Sequence, residues 1–259
     1  MSLDVVESLE DAAAAARDDR ACYAIILTNY ARPWNLPRQV EICRQTTSPA
    51  RIFLIDNSET PEGSNLPPFA RDDITLLRAG RNMGNGRRFA LAATLPCRLV
   101  MCIDDDIFPD PAQIDALFTR AAREPDRVHG VWGEDINPRS KLGFKTHLCG
   151  ENREVDILNR LYVLTPALAK RAIALAELCG HPNWSKIGPI DDIFISYAGT
   201  RKPACHDVGP LEDCPSSDQE GIASWRSRGF FERRKQTIAQ LCALEEAPSV
   251  APAALYRAR

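Results

Sequence analysis

Short apolar runs alternate with polar segments over the first hundred residues of the chain. The runs predict buried strands at 23–27, 51–55, 74–77 and 99–103. Helices are predicted at 36–45 and 87–95, and Pro and Gly crowd residues 61–68. Strand, polar loop and helix in repetition are typical of a parallel sheet. We therefore expect an α/β fold with a mostly parallel central sheet flanked by helices.

The second half of the sequence is less regular. It predicts helices and strands as follows: a helix from Asp110 to about 123, a strand at 128–132, loops or a hairpin within 133–160, a strand near 161–164, a helix at about 166–179, a helix beginning near 190, and a last amphipathic helix at 230–246. We divide the chain into a helical or frayed segment at 1–20, one domain at 21–246 and a loose tail at 247–259. Because polar residues follow the strands of residues 21–110, that half is predicted to bind a nucleotide.

Composition narrows the function classes. The formal net charge is −3, which argues against a nucleic-acid partner. Nine cysteines without a CxxC pair, and no secretory apolar segment at the start, predict reduced thiols in the cytoplasm. No apolar run approaches the length that spans a bilayer, about 20 residues. The sequence therefore predicts no transmembrane segment.

Three consecutive carboxylates, Asp104, Asp105 and Asp106, follow the apolar run at 99–103. Side chains alternate between the faces of an extended chain, so Asp104 and Asp106 are expected to share a side. Carboxylate oxygens suit a hard divalent cation such as Mg²⁺ or Mn²⁺, which binds substrate phosphates as well. The alternative interpretation is a solvated acidic turn that caps the next helix. The position of this acid run after a buried strand favours the metal.

A second acidic pair, Asp191 and Asp192, precedes an apolar run at 193–195. One member of the pair can serve as a helix cap. With two acidic clusters in one domain, we expect the first to hold the metal and the second to face the acceptor or the sugar. The loop at 82–88 contains two glycines before a helix, which fits either phosphate contact or a polar turn.

Other candidates are weaker. Each of the four histidines is expected to be structural, although His206 is a candidate for an additional metal ligand. The four tryptophans are expected in the core. Trp184 and Trp225, however, lie in polar segments where an aromatic face can stack on a sugar ring.

Five segments in order resemble the glycosyltransferases with the GT-A fold: AIILTNYARPW, RIFLIDNSE, RNMGNGRRFALA, LVMCIDDDIFPDP and IDDIFIS. The acids after the buried strand look like that family's DxD motif. The triple DDD with a later DDI is most similar to the exostosin-like transferase domain, which moves N-acetylhexosamine from UDP-sugars. The resemblance covers residues 23–241, and the loop at 133–160 has no counterpart in it. It implies a nucleotide-diphospho-sugar transferase whose residues 111–246 form the acceptor half.

The resemblance also implies roles for individual residues. Those assigned to the nucleotide are Arg32, Asn57, Asn82, Arg87 (or Arg88 in its place), Asp104 and Asp105. Asp106, with Asp104, is assigned to Mn²⁺ or Mg²⁺. Asp192 matches the acid beside the reacting sugar carbon, with Asp191 next to it, and Arg228 matches an arginine that meets the diphosphate.

These observations predict a metal-dependent glycosyltransferase that uses a UDP-sugar and a carbohydrate or other hydroxyl acceptor. A nucleotidyltransferase acting on a sugar phosphate is the first alternative, although the loop at 28–33 lacks the glycines of that class. A catalytically silent nucleotide- or glycan-binding module is the second. In an inverting enzyme Asp192 is expected to be the general base, and in a retaining one to stabilise positive charge. The last helix is a candidate for homodimer formation or contact with a membrane surface.

Overall fold

The structure is a computed structural model of the chain. It describes residues 4–6, 8–15, 23–58, 66, 74–78, 82–137, 139, 143–147, 150–218 and 223–246. The predicted loose tail at 247–259 lies outside the described residues. No helix in the described ranges is both long enough and apolar enough to cross a membrane.

The described elements follow one another along the chain in an α/β order. The strands are β1 (Asp4–Val6), β2 (Tyr23–Asn29), β3 (Ala50–Asp56), β4 (Ile74–Arg78), β5 (Leu99–Ile103), β6 (Ile107–Phe108), β7 (His129–Gly130), β8 (Gly133–Ile136), β9 (Phe144–His147), β10 (Arg153–Glu154), β11 (Ile157–Leu158), β12 (Leu161–Leu164), β13 (Ala204–Cys205) and β14 (Glu212–Asp213). The helices are α1 (Leu9–Ala15), α2 (Leu36–Arg44), α3 (Arg87–Thr94), α4 (Pro111–Arg123), α5 (Pro166–Leu178), α6 (Asp191–Tyr197) and α7 (Phe230–Glu246).

A nine-stranded sheet in the order β1-β4-β3-β2-β5-β12-β7-β13-β10 forms the centre of the fold. The first five strands in that order are parallel, and β12 runs antiparallel to β5. The chain builds outward from β2 through β3 to β4 and then returns to place β5 on the other side of β2. The strand order therefore reverses between β2 and β5, which is where ligands bind in open α/β sheets.

Side chains that alternate along the buried strands pack into two apolar layers, one on each face of the sheet. In β2, Ile26 packs on the face covered by α3, α5 and α6, whereas Ile25 and Leu27 pack on the face covered by α2 and α4. Because both faces are covered, the strands read as continuous apolar runs. This coverage explains why the sequence pattern located β2 to β5 correctly.

The described part of the N-terminal segment contains one strand and one helix. Strand β1 pairs in parallel with β4 and extends the sheet by one strand. Helix α1 packs on the same layer as α3, and its Ala12 is fully buried. The helical alternative for residues 1–20 thus has a counterpart in α1, and the division of the chain into domains stays a prediction.

Two predictions for the second half need revision. The predicted strand at 128–132 is only the two-residue β7. Residues predicted as loops or a hairpin form the antiparallel pair β8-β9, which β11 extends to a separate three-stranded sheet. The same stretch of the chain supplies β10, which is the edge strand of the nine-stranded sheet. The predicted start of α4 is confirmed, because Asp110 and Gln113 form a reciprocal capping box ahead of it.

A buried histidine pair links β7 to the segment after β13. Arg120 Nη1 lies 3.1 Å from His206 Nδ1, so that nitrogen is the acceptor. The remaining proton of His206 is then on Nε2, which lies 2.8 Å from His129 Nδ1. His129 Nε2 in turn donates to the carbonyl of Glu124 at 2.8 Å. Both imidazole rings are neutral in this series of hydrogen bonds. Because both nitrogens of His206 are hydrogen-bonded, neither is available to bind a metal.

This pair makes the fold sensitive to acid. Burial, together with nearby His129 and Arg120, lowers the pKa of His206 from 6.5 to about 3. The unfolded chain takes up the proton in that window and the folded chain does not, so the free energy of unfolding should fall as pH drops below 6.5. Urea unfolding at pH 7.5, 6 and 5 measures this slope. The slope should flatten in His206→Gln, and an unchanged slope in that variant contradicts the assignment.

Candidate functional site

The acid run lies at the carboxyl end of β5, beside the loop that follows β2. Asp105 accepts a hydrogen bond from Arg32 Nη1 at 2.5 Å, and its backbone carbonyl accepts one from Asn35 Nδ2 at 2.7 Å. Arg32 also donates through Nε and Nη2 to the hydroxyl and the carbonyl of Ser216, at 2.9 and 2.8 Å. The predicted pocket residues Arg32 and Asp105 therefore contact each other directly at the switch point of the sheet.

Asp106 faces two guanidinium groups. Arg160 Nη2 lies 3.0 Å from its Oδ1, and Arg32 Nη2 lies 3.7 Å from its Oδ2. Arg160 also pairs with Asp213 in β14, and its φ of 66° is the one left-handed non-glycine conformation in the described residues. This backbone conformation turns the chain between β11 and β12 so that the side chain reaches the acid run. Sequence reasoning did not identify Arg160.

Asp104 is joined to the second acidic pair through one arginine. Arg88 makes an ion pair with Asp104 through Nη1, and its Nη2 lies 3.4 Å from Asp191 Oδ2. The guanidinium carbon of Arg88 also lies 5.0 Å from the ring centre of Tyr162. Of the two arginines named ahead of the acid strand, Arg88 makes this ion pair. Arg87, named first in the prediction, is buried in the first turn of α3.

Burial dominates the acidity of these carboxyl groups. It raises the pKa of Asp105 to about 6, with Arg32 opposing the shift, and raises that of Asp191 to about 7, with Arg88 opposing it. The pKa of Asp104 is raised for the same reason, again against Arg88. Repulsion from neighbouring carboxylates adds to each shift. Any added positive charge is therefore favourable at this edge.

Asn57 and Asn82 shape the loop between β4 and α3. The amide of Asn57 donates to the Gly84 carbonyl at 3.1 Å and accepts from the Met83 N–H at 3.3 Å. Asn82 Oδ1 accepts from the Gly84 N–H at 2.8 Å. In this structure both side chains hold the backbone of the loop beside the site. Their contact with a nucleotide stays a prediction.

Asp192 lies at the start of α6 in a separate charged cluster. Arg234 Nη1 lies 2.8 and 2.6 Å from its two carboxylate oxygens, and Arg234 Nη2 donates to Glu134 Oε2 at 2.9 Å. The Asn159 amide nitrogen, in the orientation that satisfies its neighbours, lies 2.6 Å from Asp192 Oδ2. Sequence reasoning missed Arg234 and Glu134. Their pairing joins residues one hundred positions apart.

The remaining candidates separate clearly. Arg228 is exposed two residues before α7 and is not among the side chains of either cluster above. Trp225 is exposed and stacks with Arg226 at 4.9 Å. The expectation of core packing is confirmed for Trp184, because that ring is buried against Phe194 and its indole N–H donates to the Gly86 carbonyl at 2.5 Å.

Trp184 should therefore matter for stability. Trp184→Ala removes a buried ring and leaves a cavity beside Phe194, so the free energy of unfolding should fall by about 3–5 kcal/mol. Chemical denaturation followed by circular dichroism measures the change. Trp225→Ala, on an exposed ring, is the matched control and should shift stability by less than about 0.5 kcal/mol. Equal effects from the two substitutions contradict the assignment of Trp184 to the core.

The donor set at the switch point fits a divalent cation of the kind that completes its shell with phosphate oxygens. Within the described ranges, no three His, Cys, Asp or Glu side chains are arranged as a closed metal cage. Mg²⁺ at phosphate sites typically needs only one or two carboxylates. Asp106 and Asp104 supply hard oxygens, and the side chain of each is partly exposed, by 14% and 28%. These two residues suit the cation that the sequence predicts.

Comparisons with solved structures show the fold. Chain 1–349 of S. aureus TarS matches with a TM-score of 0.58 and 12% sequence identity, over 87% of this chain and 67% of that one. The same TarS chain in complex with UDP-GlcNAc matches with a TM-score of 0.59 and 13% identity, over 87% and 68%. The chain spans 37% of the full TarS structure, at a TM-score of 0.52. No family model and no curated protein sequence matches. The fold is thus the GT-A-type fold of the nucleotide-sugar glycosyltransferases.

Proposed function

We propose that this protein is a metal-dependent glycosyltransferase that moves a sugar from a UDP-sugar to a hydroxyl group of an acceptor. One observation carries the proposal. The run from Asp104 to Asp106, with Arg32 and Arg160 paired to it, lies at the point where the strand order of a GT-A-type sheet reverses. A chain of the same fold has been solved with UDP-GlcNAc, which supports a UDP-sugar as the donor and N-acetylhexosamine as the first sugar to test.

The reaction requires two changes of bonding. A bond forms between the acceptor oxygen and the anomeric carbon, and the bond from that carbon to the diphosphate breaks. UDP leaves with the bonding electrons, and the proton of the acceptor hydroxyl passes to Asp192 in an inverting reaction or to an oxygen of the departing diphosphate in a retaining one. Asp192, held by Arg234, is the carboxylate that we assign to the sugar and acceptor side.

The two arginines beside the acid run are suited to the leaving group. Arg32 and Arg160 are buried or nearly so, and each presents a guanidinium that pairs with oxyanions in fixed geometry. Asp106 and Asp104 would hold a Mn²⁺ or Mg²⁺ ion, which would supply electrostatic stabilisation of the leaving diphosphate. Arg228, exposed next to α7, is a further cation that we assign to the diphosphate.

Donor turnover tests the proposal without knowledge of the acceptor. The purified protein is incubated with Mn²⁺ and UDP-GlcNAc, UDP-GalNAc, UDP-glucose or GDP-mannose, and released nucleoside diphosphate is measured with and without a panel of hydroxyl acceptors. We expect release from a UDP-sugar that depends on Mn²⁺ and rises with an acceptor. Binding of UDP with no release from any donor and acceptor pair indicates a silent binding module instead. Pyrophosphate-dependent formation of UTP indicates a nucleotidyltransferase.

A further inference from the structure

One arginine connects the C-terminal helix with the acid pair of α6. Arg234 is in the second turn of α7, Asp192 is at the start of α6, and Glu134 is in β8. Arg234 Nη1 reaches both oxygens of Asp192, while its Nη2 donates to Glu134 at 2.9 Å. A single planar guanidinium thus holds two carboxylates from two different elements at a fixed separation.

The guanidinium itself has little freedom. Only 2% of Arg234 is exposed. Its guanidinium carbon lies 5.0 Å from the ring centre of Phe144 and 5.2 Å from that of Phe230. Nη1 also lies 3.4 Å from the Pro189 carbonyl. Two aromatic rings, two carboxylates and a carbonyl therefore define the plane of the fork.

Asp192 is oriented by two side chains from outside its own helix and by one N–H of that helix. Arg234 contacts both carboxylate oxygens, the Asn159 amide lies 2.6 Å from Oδ2, and the Ile193 N–H lies 2.9 Å from Oδ1. This number of contacts exceeds what a helix cap requires. A lysine at position 234 lacks the planar fork that reaches Asp192 and Glu134 together.

We infer that Arg234 is a positioning residue, which acts on catalysis through the carboxylate of Asp192 and is itself oriented by Glu134. The inference rests on the proposed function, because it concerns the orientation of the carboxylate assigned to the sugar and acceptor side. On this inference, helix α7 places the Arg234 guanidinium between Asp192 and Glu134. The donor side of the site, where Asp104 to Asp106 pair with Arg32, Arg88 and Arg160, uses other arginines and is connected to α6 through the contact of Arg88 with Asp191.

The test compares Arg234→Lys with the paired variant Glu134→Gln/Arg234→Gln. The paired variant removes one positive and one negative charge together, so Glu134 is not left as a buried carboxylate without its arginine. Asp192 keeps its contact with the Asn159 amide. We therefore expect the paired variant to fold even if Arg234→Gln alone does not. In both variants we expect kcat for donor turnover to fall by about 10- to 100-fold, the range expected for a misplaced catalytic group. The dissociation constant for UDP with Mn²⁺ should change by less than about twofold, because the donor side is untouched. Arg233→Gln, on the neighbouring exposed residue of the same helix, should match the wild type.

A double-variant comparison separates positioning from a merely structural role. In an Asp192→Asn background, Arg234→Lys should change kcat by less than about twofold, because the group that it orients is gone. An equal loss of kcat in both backgrounds overturns the inference, and so does an unchanged kcat in Arg234→Lys and the paired variant. A wild-type protein that turns over no UDP-sugar overturns the proposed function instead, which is a distinct result.

Discussion

Asp106→Ala should abolish metal-dependent UDP binding and leave the fold intact. Asp106 is the residue assigned to the cation, and loss of one partner of a desolvated charge pair costs about 3 kcal/mol or more, which is more than a hundredfold in the dissociation constant. The fold should survive because the two arginines keep other partners. Arg160 retains Asp213, and Arg32 retains Asp105 and Ser216. Titration calorimetry with UDP and Mn²⁺ measures the loss, and circular dichroism checks the fold.

A surface carboxylate offers the control for this experiment. Glu212, in β14, forms an exposed ion pair with Arg38 of α2. Glu212→Gln should therefore leave the dissociation constant for UDP within about twofold of the wild-type value. If Asp106→Ala binds UDP as tightly as the wild type at the same Mn²⁺ concentration, the acid run is not the cation site. The three residues are then a structural group of ion pairs with Arg32, Arg88 and Arg160.

Asp192→Asn should keep UDP affinity and lose about a thousandfold in kcat for donor turnover, within the range expected for the loss of an acid–base or charge-stabilising group. Affinity should persist because Asp192 is paired with Arg234 and Asn159, away from the ion pairs of the acid run. The substitution is isosteric, and Arg234 retains Glu134 as a partner. Steady-state kinetics with UDP-GlcNAc, together with calorimetry on the same sample, separates the two quantities.

The same variant distinguishes catalysis from a purely structural role. The N-cap of α6 is Ile190, so Asp192 lies in the first turn of the helix and is not its N-cap. An asparagine keeps the shape of the side chain, so a structural role alone predicts a kcat near the wild-type value in Asp192→Asn. Full turnover in this variant assigns Asp192 to the helix start alone, and Asp191 becomes the next carboxyl group to test.

Elements governed by local pattern were predictable from the sequence. Helix α7 has its predicted bounds of 230–246, and α4 begins at Pro111, after the N-cap Asp110, as predicted. Strand β5 ends directly before the acid run, which was also predicted. Each of these depends on periodicity, a cap or a continuous apolar run, which a few neighbouring residues determine. Strand β1 is different, because three residues become a strand only through pairing with β4, about seventy positions later.

The acidic residues of the site were visible in the sequence, whereas two of its four arginines were not. Aspartates in a row after a strand form a motif, but Arg160 reaches Asp106 across fifty-four positions and Arg234 reaches Asp192 across forty-two. Arg32, and Arg88 as the alternative to Arg87, were named through the resemblance to a family. The sequence left a sugar-stacking alternative open for Trp184 because the ring packs against residues far along the chain, such as Gly86, ninety-eight positions away.

The central claim is that the edge between β2 and β5 binds a nucleoside diphosphate together with a divalent cation. Titration of the purified wild-type protein with UDP, in the presence and absence of Mn²⁺, tests it most directly. We predict saturable binding of UDP that requires Mn²⁺ and is lost in Asp106→Ala. Absence of UDP and GDP binding at every Mn²⁺ and Mg²⁺ concentration contradicts the claim.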